Sequence, residues 1–335
     1  MKDKVYIVVL NYNDYQDTIA CLTSLYNLDY PHFQVIVCDN HSEGNDVQQL
    51  LAWQRGEDVA AVKNPFGKSE CVRPAHSVVH FMEGRKQISS AEEQDDPDDA
   101  LIILQADCNR GFSAGNNMGI RYAQQRNDYK YIWLLNNDTV VDAKALQEMV
   151  NTQQAEQAAG VGSVVRYYDR PELIQQAGST TDWANMRLEM AFYDTNIKDL
   201  QAGVDIHNLP GPSFLLTKEF VDKIGGLDEA YFLYCEEPDL GARARQLGEK
   251  FTYATKSYTY HKGGCTTGQR GSGFRDYHLT RSWTILLNRY APEVFPEFKR
   301  RSMAVIRKRL KHLHMIRAYA VYKGLKDGLS VKYNS

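Results

Sequence analysis

The stretch WLLNNDTVV, residues 133–141, runs from an apolar segment directly into two asparagines and an aspartate. Trp133, Leu134 and Leu135 are typical of a buried β-strand, so Asp138 follows the end of a core strand. Spacing alone leaves two interpretations of this aspartate open. Its carboxylate either caps a following helix or binds a ligand, and the other strands of the chain decide between the two.

Strand-like apolar runs alternate with helical segments through the first half of the chain. Continuous Val, Ile and Leu runs are typical of a mostly parallel sheet that is covered by helices on both faces. The predicted strands are VYIVVL (5–10), FQVIVCD (33–39), VAAV (59–62), LIILQA (101–106) and YIWLL (131–135), and the predicted helices are 15–28, 47–54 and 115–126. The pattern predicts an α/β protein.

Polar residues follow four of these strands. In an open α/β sheet, ligands bind in the crevice at the carboxyl ends of the strands. The convergence of four polar strand ends therefore predicts a ligand site and favours the second interpretation of Asp138. The residues concerned are Asn11 to Asp14, Asp39 and Asn40, Asp107 to Asn109, and Asn136 to Asp138.

The composition excludes several classes of protein. The chain has 335 residues, 43% of them hydrophobic, and a net charge of −3, which argues against bulk binding of nucleic acid. Its six cysteines are scattered without a CxxC or a Cys/His cluster, so we expect neither disulfides nor a thiolate zinc site, and a reducing cytoplasm fits best. We see no signal peptide before the first strand and no apolar run of about 20 residues.

Two segments depart from the strand–helix alternation. Residues 66–99 end in the acidic run AEEQDDPDD and are predicted to be an insertion or a mobile loop. Beyond Arg275 the pattern becomes helical, and residues 299–317 carry eight Lys or Arg and no acid. We therefore divide the chain into a main α/β domain, 1–273, and a basic helical extension, 274–335.

The basic extension has two interpretations. Its apolar residues recur at helical spacing, so a helix can pack them onto the main domain and leave a solvated basic face. Alternatively, the basic face of residues 299–326 is turned toward an anionic membrane surface. The apolar residues concerned are Met303, Ile306, Leu310, Leu313 and Ile316.

Two segments of the first half carry the residue types that bind nucleotides. In CDNHSEGND (38–46), the Asp39 carboxylate can accept the N3–H of uracil or thymine, or it can simply order a turn. In NRGFSAGNNMGI (109–120), three glycines surround a helix start, where backbone amides can approach a diphosphate. The spacing fits neither the GxGxxG fingerprint nor the ATP phosphate loop.

Two segments of the second half carry acids and a histidine. FLYCEEPDLGARARQLG (232–248) sets three acids around Pro238 at a helix start, where the helix dipole alone would also favour them. YTYHKGGCTTGQR (258–270) places His261 beside a loop rich in Gly and Thr, although a single histidine is more often structural.

Together these segments resemble the family 2 glycosyltransferases, which are inverting enzymes with a GT-A fold, and within them the rhamnosyltransferase-like branch. The resemblance runs nearly end to end, from VVLNYND through VIVCDNHSEGND, NRGFSAGNNMGI and WLLNNDTVV to GPSFLLTKEFVDKIGGLDEAYFLYCEEPDLGARARQLG. It implies a donor-binding half of about 1–140 and an acceptor half of about 141–273.

The resemblance also implies roles for single residues. Asp138 occupies the last position of the DxD-type motif that binds Mg²⁺ or Mn²⁺, with Asn136 in place of the first Asp and His261 as a second metal or diphosphate contact. Glu237 matches the catalytic base, where the family often has Asp, and Glu236 positions it or binds the acceptor. Donor contacts are implied for Asn11, Asp39, Asn40, Gly111, Phe112, Asn116, Asn117, Asn136 and Asn137, and acceptor contacts for Tyr234 and Asp239, the latter also supporting the helix start.

The implied function is transfer of a sugar from a pyrimidine nucleotide-diphosphate sugar to a hydroxyl group. dTDP-rhamnose is the first choice of donor and a UDP-sugar the second, and the acceptor is a saccharide or a lipid-diphosphate-linked saccharide of a cell-surface polysaccharide. We expect a cytoplasmic location, with peripheral attachment to the inner face of the membrane as an extension of it. The alternatives are a catalytically silent nucleotide-sugar-binding scaffold of the same fold and, third, a nucleotidyltransferase.

Overall fold

The structure of the protein, a computed structural model, describes residues 3–57, 72–84, 86–88, 96–263 and 271–331. A mixed, mostly parallel sheet forms the centre, and helices pack on both of its faces. This arrangement confirms the predicted α/β class. The strand predicted at 59–62 lies outside the described residues.

The elements follow one another along the chain as strands and helices of ordinary length. The strands are β1 (Val5–Asn11), β2 (Phe33–Asp39), β3 (Ser77–Glu83), β4 (Lys86–Ile88), β5 (Leu101–Ala106), β6 (Tyr131–Asn136), β7 (Thr139–Val141), β8 (Gly160–Tyr167), β9 (Ile174–Gln176), β10 (Ser179–Asp182), β11 (Arg187–Met190), β12 (Ser213–Thr217) and β13 (Phe251–His261). The helices are α1 (Tyr15–Leu25), α2 (Asp46–Gln54), α3 (Gly111–Arg126), α4 (Ala145–Glu156), α5 (Lys218–Ile224), α6 (Glu236–Gln246), α7 (Gly271–Tyr290), α8 (Phe295–Lys311) and α9 (Met315–Leu329).

The carboxyl ends of the central parallel strands lie level with one another. The order of strands in the sheet is β4-β3-β5-β2-β1-β6-β12-β8-β13-β7. In its register, Asn11 lies opposite Asp39 on β2, and Leu10 lies opposite Asn136 on β6. The polar residues that follow these strands are thereby brought to one edge of the sheet, as the sequence predicts.

Strands β3 and β4, within the segment 66–99, belong to the main sheet. Strand β3 pairs in parallel with β5, from Ser77 opposite Leu101 to Met82 opposite Ala106, and β4 returns antiparallel to β3. Phe81 is 56% exposed between two buried neighbours, as expected for a strand with one solvated face. A mobile loop is therefore wrong for these two strands, because the acidic run that follows them dominates the composition of 66–99, and the insertion stays a prediction.

Two hydrophobic cores lie on the two faces of the sheet. Strand β1 contributes Tyr6 and Val8 to the core beneath α3, and it contributes Val5, Ile7 and Val9 to the core beneath α1, α2 and α4. All five side chains are fully buried. Because successive side chains of a strand point to opposite faces, the unbroken apolar run of β1 serves both cores.

Helix α3 approaches the sheet closely at two glycines. A Cβ on Gly119 would lie 2.6 Å from Cγ1 of Val8, and a Cβ on Gly115 would lie 2.4 Å from Cδ1 of Leu10. Both distances are too short for a real Cβ, so glycine at these positions lets α3 pack directly on β1. The sequence connected the glycines of this segment with a diphosphate, but these two have a packing role.

Helices α7, α8 and α9 form a layer that follows the sheet domain. In the basic stretch, Ile306 is buried and packs with Ala318, Val321 and Leu325 of α9, whereas α8 reaches the main domain by a polar contact, from Arg301 to the backbone oxygen of Asn185. The predicted packing of Met303, Leu310 and Leu313 onto that domain is therefore wrong, because these side chains are 37%, 42% and 84% exposed. Among the described residues, no helix combines the length and hydropathy needed to cross a bilayer.

We predict that Gly119→Ala lowers the free energy of unfolding by about 1–3 kcal/mol, because the new methyl group overpacks against the buried Val8. Urea unfolding measures the change. The loss in the double variant Gly119→Ala/Val8→Ala should be smaller than the sum of the two single losses, and Gly44→Ala, where the new Cβ meets only ordinary contacts, should leave stability unchanged. Equal stability of Gly119→Ala and wild type would contradict the close packing.

Candidate active site

A cavity of about 310 Å³ opens at the carboxyl end of β6. Asn136 lies on one side of it and the first turn of α6 on the other, while α7 closes it with apolar side chains. Its lining includes Phe112, Asn136, Leu188, Gly211, Pro212, Tyr234, Glu236, Glu237, Leu279 and Trp283. The cavity thus joins residues that the sequence assigned separately to the donor, to the acceptor and to catalysis.

The backbone before α6 has an uncommon conformation. Tyr234 and Cys235 both have φ of 70°, in the left-handed region that side-chain-bearing residues rarely occupy. Two such residues in succession turn the chain sharply, and the helix then begins at Glu236. Strain of this kind is often found at functional sites, and here it directs both Glu236 and Glu237 into the cavity.

The two glutamates differ in their surroundings. Glu237 is half-buried and lies against Gly211, where a Cβ would come within 1.9 Å of its Oε1. Glu236 is 5% exposed, and its Oε1 has no hydrogen-bond partner within the described residues. Burial raises the pKa of Glu237, and burial together with the neighbouring Glu237 raises the pKa of Glu236 well above its usual range.

Asp239 is enclosed by hydrogen-bond partners and belongs to the framework of the site. Its carboxylate is 0% exposed, with Oδ2 accepting from Nε of Arg243 at 2.8 Å. Its Oδ1 accepts from a guanidinium nitrogen of Arg289 and from the hydroxyl of Tyr290, each at 2.8 Å. The acceptor contact predicted for Asp239 is not compatible with this burial, whereas Tyr234 does line the cavity.

Asp138 and His261 lie side by side at the ends of β6 and β13. Oδ1 of Asp138 is 3.2 Å from Nε2 of His261, and both side chains are about seven-eighths buried, with 15% and 13% exposed. Burial alone raises the pKa of a carboxylate, but His261 and Lys262 outweigh it and hold the pKa of Asp138 below its usual range. The site therefore keeps a charged carboxylate away from bulk solvent.

The tautomer of His261 is set by Gln175 on β9. Nδ1 of His261 donates to Oε1 of Gln175 at 2.6 Å, so in the neutral ring Nε2 presents a lone pair to Asp138. A positive charge between the two makes this arrangement favourable, either as a proton on Nε2, which then donates to Asp138, or as a metal ion. Two donors 3.2 Å apart also fit neighbouring corners of an octahedron with metal–ligand bonds of about 2.1 Å, which separate such ligands by about 3.0 Å. The residues thus fit Mg²⁺ or Mn²⁺, although no group of three or more His, Cys, Asp or Glu side chains gathers around an ion within the described residues.

The two asparagines before Asp138 point in different directions. The Asn136 side chain lines the cavity, in the position of the missing first carboxylate. The amide of Asn137 donates to the backbone oxygen of Asp14 and to Oγ1 of Thr18, at 3.3 and 3.1 Å. Asn136 is therefore available to a ligand, whereas Asn137 fixes the end of β6 to α1.

Asp39 lies deeper than the sequence indicates. It is 0% exposed, and its Oδ1 accepts from Nδ2 of Asn11 at 2.7 Å and from Oγ of Ser42 at 2.5 Å. Its Oδ2 accepts from the backbone N–H of Ser42 at 3.2 Å. Asp39 and Asn11 thus connect β1 to β2. Because Asp39 is fully buried, the base of a nucleotide can reach the remaining lone pair of Oδ2 only if the turn that contains His41, with φ of 65°, moves.

The other predicted donor residues hold the segment before α3. Nδ2 of Asn40 donates to Oδ1 of Asn109 and to the backbone oxygen of Gly111, while Asn117 bonds the backbone N–H and oxygen of Leu227. The amide of Asn116 donates to the backbone oxygen of Phe112, within its own helix. These are structural contacts, and among this group Phe112 lines the cavity.

A second cavity, of about 220 Å³, lies beside this segment. It is lined by Asn40, Arg110 and Arg121, with Glu229 bound to Arg121 at 2.7 Å. Nε of Arg121 is buried without a hydrogen-bond partner within the described residues. Neither arginine stands out in the sequence, because a single basic residue carries no local signal of a binding site.

Gln175 and Trp283 were also missed. Gln175 is 86 residues from His261, and Trp283 reaches the cavity from a helix that the sequence assigned to a separate extension. Gly211 and Pro212 begin the segment GPSFLLTKEF, which resembles the family, and the Gly-Pro pair signals a turn there. That signal could have been used to find them.

The comparison with protein families identifies the chain. The family model described as "Glycosyltransferase like family 2" matches residues 3–281. The chain belongs to glycosyltransferase family 2. One curated relative of this family 2 protein is the low-salt glycan biosynthesis hexosyltransferase Agl10 of Haloferax volcanii, which is 23% identical over 210 residues. The match covers 60% of this chain and 64% of the relative, so it spans less than two thirds of that protein.

Solved structures share the fold of this family 2 protein. The mannosyltransferase PcManGT from Pyrobaculum calidifontis, in complex with GDP-Man and Mn²⁺, is 12% identical with a TM-score of 0.53, over 99% of this chain and 77% of that chain. S. aureus TarS 1–349 in complex with UDP-GlcNAc is 13% identical with a TM-score of 0.50, over 90% of this chain and 73% of that chain. The sheet domain therefore has the GT-A fold, and the helices α7 to α9 follow it.

We predict that Glu236→Gln stabilises this family 2 protein at pH 7–8 and has little effect near pH 4. A carboxyl whose folded pKa is raised loses stability as the pH rises above its unfolded value of about 4.3, because the fold disfavours the charged form. The variant removes that charge. Thermal unfolding across pH measures the difference, where each kcal/mol corresponds to about 2–4 °C.

Glu219→Gln is the control of opposite sign, because the Lys130 hydrogen bond holds the pKa of Glu219 below its usual range. It should not stabilise the protein at neutral pH. A stability difference for Glu236→Gln that stays constant from pH 4 to pH 8 would contradict a buried, charge-disfavouring site.

Proposed function

We propose that this protein transfers a sugar from a nucleotide-diphosphate sugar to an acceptor hydroxyl with inversion at the anomeric carbon. The observation that carries the proposal is the single cavity that joins Glu237 to Asn136 at the end of β6, next to the Asp138–His261 pair. A base on one side of a cavity and a diphosphate site on the other are the two requirements of an in-line displacement.

Glu237 is the proposed base. It lies in the cavity, half-buried, and burial raises the pKa of its carboxyl toward the range in which it can both take up and release a proton. The acceptor hydroxyl would lie between Glu237 and the anomeric carbon, with Trp283 and Tyr234 at its sides. Glu236 is proposed to keep Glu237 in place and to raise its basicity when ionised.

Asp138 and His261 are the proposed ligands of Mg²⁺ or Mn²⁺. When bound, such an ion supplies positive charge to the leaving diphosphate. Gln175 holds the imidazole so that Nε2 faces Asp138, and Lys262, paired with Asp17, adds a fixed cation beside them. The Mn²⁺ in the PcManGT complex supports a divalent ion in a protein of this fold.

The proposed donor is a pyrimidine nucleotide sugar, with dTDP-rhamnose first and a UDP-sugar second. Asp39 supports the pyrimidine, since one lone pair of Oδ2 remains for an N3–H donor once the turn at Ser42 has moved. Rhamnose rests on the resemblance to the rhamnosyltransferase-like branch. The relatives differ in this respect, because TarS binds UDP-GlcNAc and PcManGT binds GDP-Man.

The proposed acceptor is a saccharide, free or linked to a lipid diphosphate, in polysaccharide synthesis at the cytoplasmic side of the membrane. The basic residues of 299–326 support contact with an anionic membrane surface, although part of them is already paired within the protein. Arg309 and Arg317 bind Asp276, and two further arginines bind Glu297.

A catalytically silent nucleotide-sugar-binding scaffold is the second candidate. It is favoured by Asn136, which removes one metal ligand, and by Glu237 where the family often has Asp. Radiolabelled donor hydrolysis separates the two, since a silent scaffold binds the donor without turnover.

We predict that Glu237→Gln lowers transfer or donor hydrolysis about 10²–10⁴-fold, because the amide keeps the shape of the side chain but cannot accept a proton. Donor affinity should stay within a few-fold, as thermal protection by the donor would measure. Glu236→Gln is the matched comparison. If Glu237→Gln turns over normally, the base is elsewhere.

We predict that Asp138→Ala removes the increase in nucleotide-diphosphate affinity that Mn²⁺ produces, with little change in EDTA. Gln175→Leu keeps both ligands but not the orientation of the ring, so it should weaken Mn²⁺ binding about 10–100-fold. Titration of the free Mn²⁺ signal by electron paramagnetic resonance measures this without activity, and Gln175→Glu should restore binding. Equal losses for Asp138→Ala with Mn²⁺ and with EDTA would make Asp138 structural.

We predict that dTDP-rhamnose protects the protein against thermal unfolding more than UDP-sugars do, and that both protect it more than GDP- or ADP-sugars. Asp39→Ala should reduce the preference for pyrimidines, because the N3–H loses its acceptor. Stronger protection by a purine nucleotide sugar than by every pyrimidine nucleotide sugar would refute the proposed pyrimidine donor.

A further inference from the structure

We propose that the tip of the α8–α9 hairpin inserts into the surface of an anionic lipid bilayer and anchors the protein there by apolar contact. The surface concerned is more than the basic face that the sequence indicates, because it also carries a patch of exposed apolar side chains. We call this set the tip patch: Leu310, Leu313, Met315, Ile316, Tyr319 and Tyr322.

The tip patch is exposed while the opposite face of the same hairpin is buried. Leu313 and Ile316 are 84% and 81% exposed, and Tyr319 is 61% exposed. Ala318, between Ile316 and Tyr319 in the sequence, is 2% exposed, and Val321, between Tyr319 and Tyr322, is 4% exposed. Helix α9 thus has an inner face that packs on α7 and α8 and an outer face that is also apolar, and contiguous apolar surface of this kind marks a binding site.

The hairpin is held firmly against α7. A Cβ on Gly324 of α9 would lie 2.7 Å from the backbone oxygen of Tyr277 of α7, so α9 and α7 pack in close contact. At the start of α7, Asp276 binds the guanidinium groups of Arg309 and Arg317, each at 2.8 Å. The tip patch is therefore mounted on a fixed support.

The charges around the tip patch select its partner. No acid occurs from residue 298 to residue 326, and Arg307, Lys308 and Lys311 are exposed in the last turns of α8 without an ion pair within the described residues. A second copy of the chain on this face would bring these cations together without a compensating acid. An anionic bilayer satisfies both features, since phosphates meet the cations, apolar side chains enter the acyl boundary and tyrosines lie at the interface.

The position of the tip patch relates it to the cavity. Ile316 lies against the start of α7, within 3.4 Å of a Cβ built on Gly273. From Gly273 the same helix runs ten residues, about 15 Å, to Trp283 in the cavity lining. The idea that a lipid-linked acceptor is delivered over this distance depends on the proposed function. The binding of the tip patch to lipid does not depend on it.

Co-sedimentation of the full chain with vesicles tests the proposal without a nucleotide sugar, so it can fail while the proposed function stands. We expect binding to vesicles of phosphatidylcholine mixed with phosphatidylglycerol that is weakened but not abolished by salt. Leu313→Ser/Ile316→Ser should lose about tenfold in partitioning and all of the salt-resistant part. Arg307→Gln/Lys308→Gln/Lys311→Gln should lose about 10²-fold at low salt only.

Met190→Ser/Leu247→Ser is the matched control, because these side chains are 44% and 49% exposed elsewhere on the protein. It should bind like wild type, and all variants should unfold at the wild-type temperature, since the changed side chains are exposed. Equal binding of wild type to neutral and anionic vesicles at low salt overturns the proposal. A concentration-dependent dimer in light scattering that Leu313→Ser/Ile316→Ser dissociates also overturns it, because the tip patch would then be a subunit interface.

Discussion

The buried carboxylate of Asp239 connects the elements that form the candidate site. It receives hydrogen bonds from Arg243 within α6 and from Arg289 and Tyr290 at the end of α7. Removing one partner of such a buried set leaves an uncompensated charge, which typically costs about 3–5 kcal/mol. The start of α6, with its two glutamates, and α7, with Trp283, are therefore fixed relative to each other. Without these hydrogen bonds, the start of α6 and α7, which line the cavity together, would no longer be held in place.

Opposite electrostatic environments surround the carboxylates of the start of α6, which line the cavity, and Asp138, which follows the cavity residue Asn136 by two positions. On the α6 side, burial disfavours charge and raises the pKa of Glu236 and Glu237. On the β6 side, His261 and Lys262 hold the pKa of Asp138 low, so its negative charge persists. Pairs of carboxylates whose surroundings push their pKa values apart are typical of sites in which one group moves a proton and another binds charge. The fold creates both environments from residues of the same chemical class.

The C-terminal helices have two contacts of different character. Toward the main domain, α7 contributes side chains to the cavity and supports α6 through polar contacts, such as the bond from Ser282 to the backbone oxygen of Leu233. Away from it, α8 and α9 present cations and apolar side chains together. The layer is thus part of the site on one side and an exposed surface on the other.

The sequence by itself determined the α/β class, the strand ends that carry polar residues and the family. It could do so because apolar runs, helical spacing and turn residues are local properties of the chain. β1, β2 and β6 are uninterrupted runs, and parallel pairing brings their ends to one edge. The roles of Glu237, Asn136 and Asp138 come from the resemblance to the family and stay predictions.

Only the tertiary structure decided which polar side chains remain available to a ligand. Asp39, Asn117 and Asp239 share the residue types of a binding site, yet partners far away in sequence enclose them. Conversely, Gln175 and Trp283 carry no local signal and reach the site from distant elements. Burial and hydrogen bonding depend on which segments meet in space, and long-range contacts of this kind leave no trace in the spacing of residues along the chain.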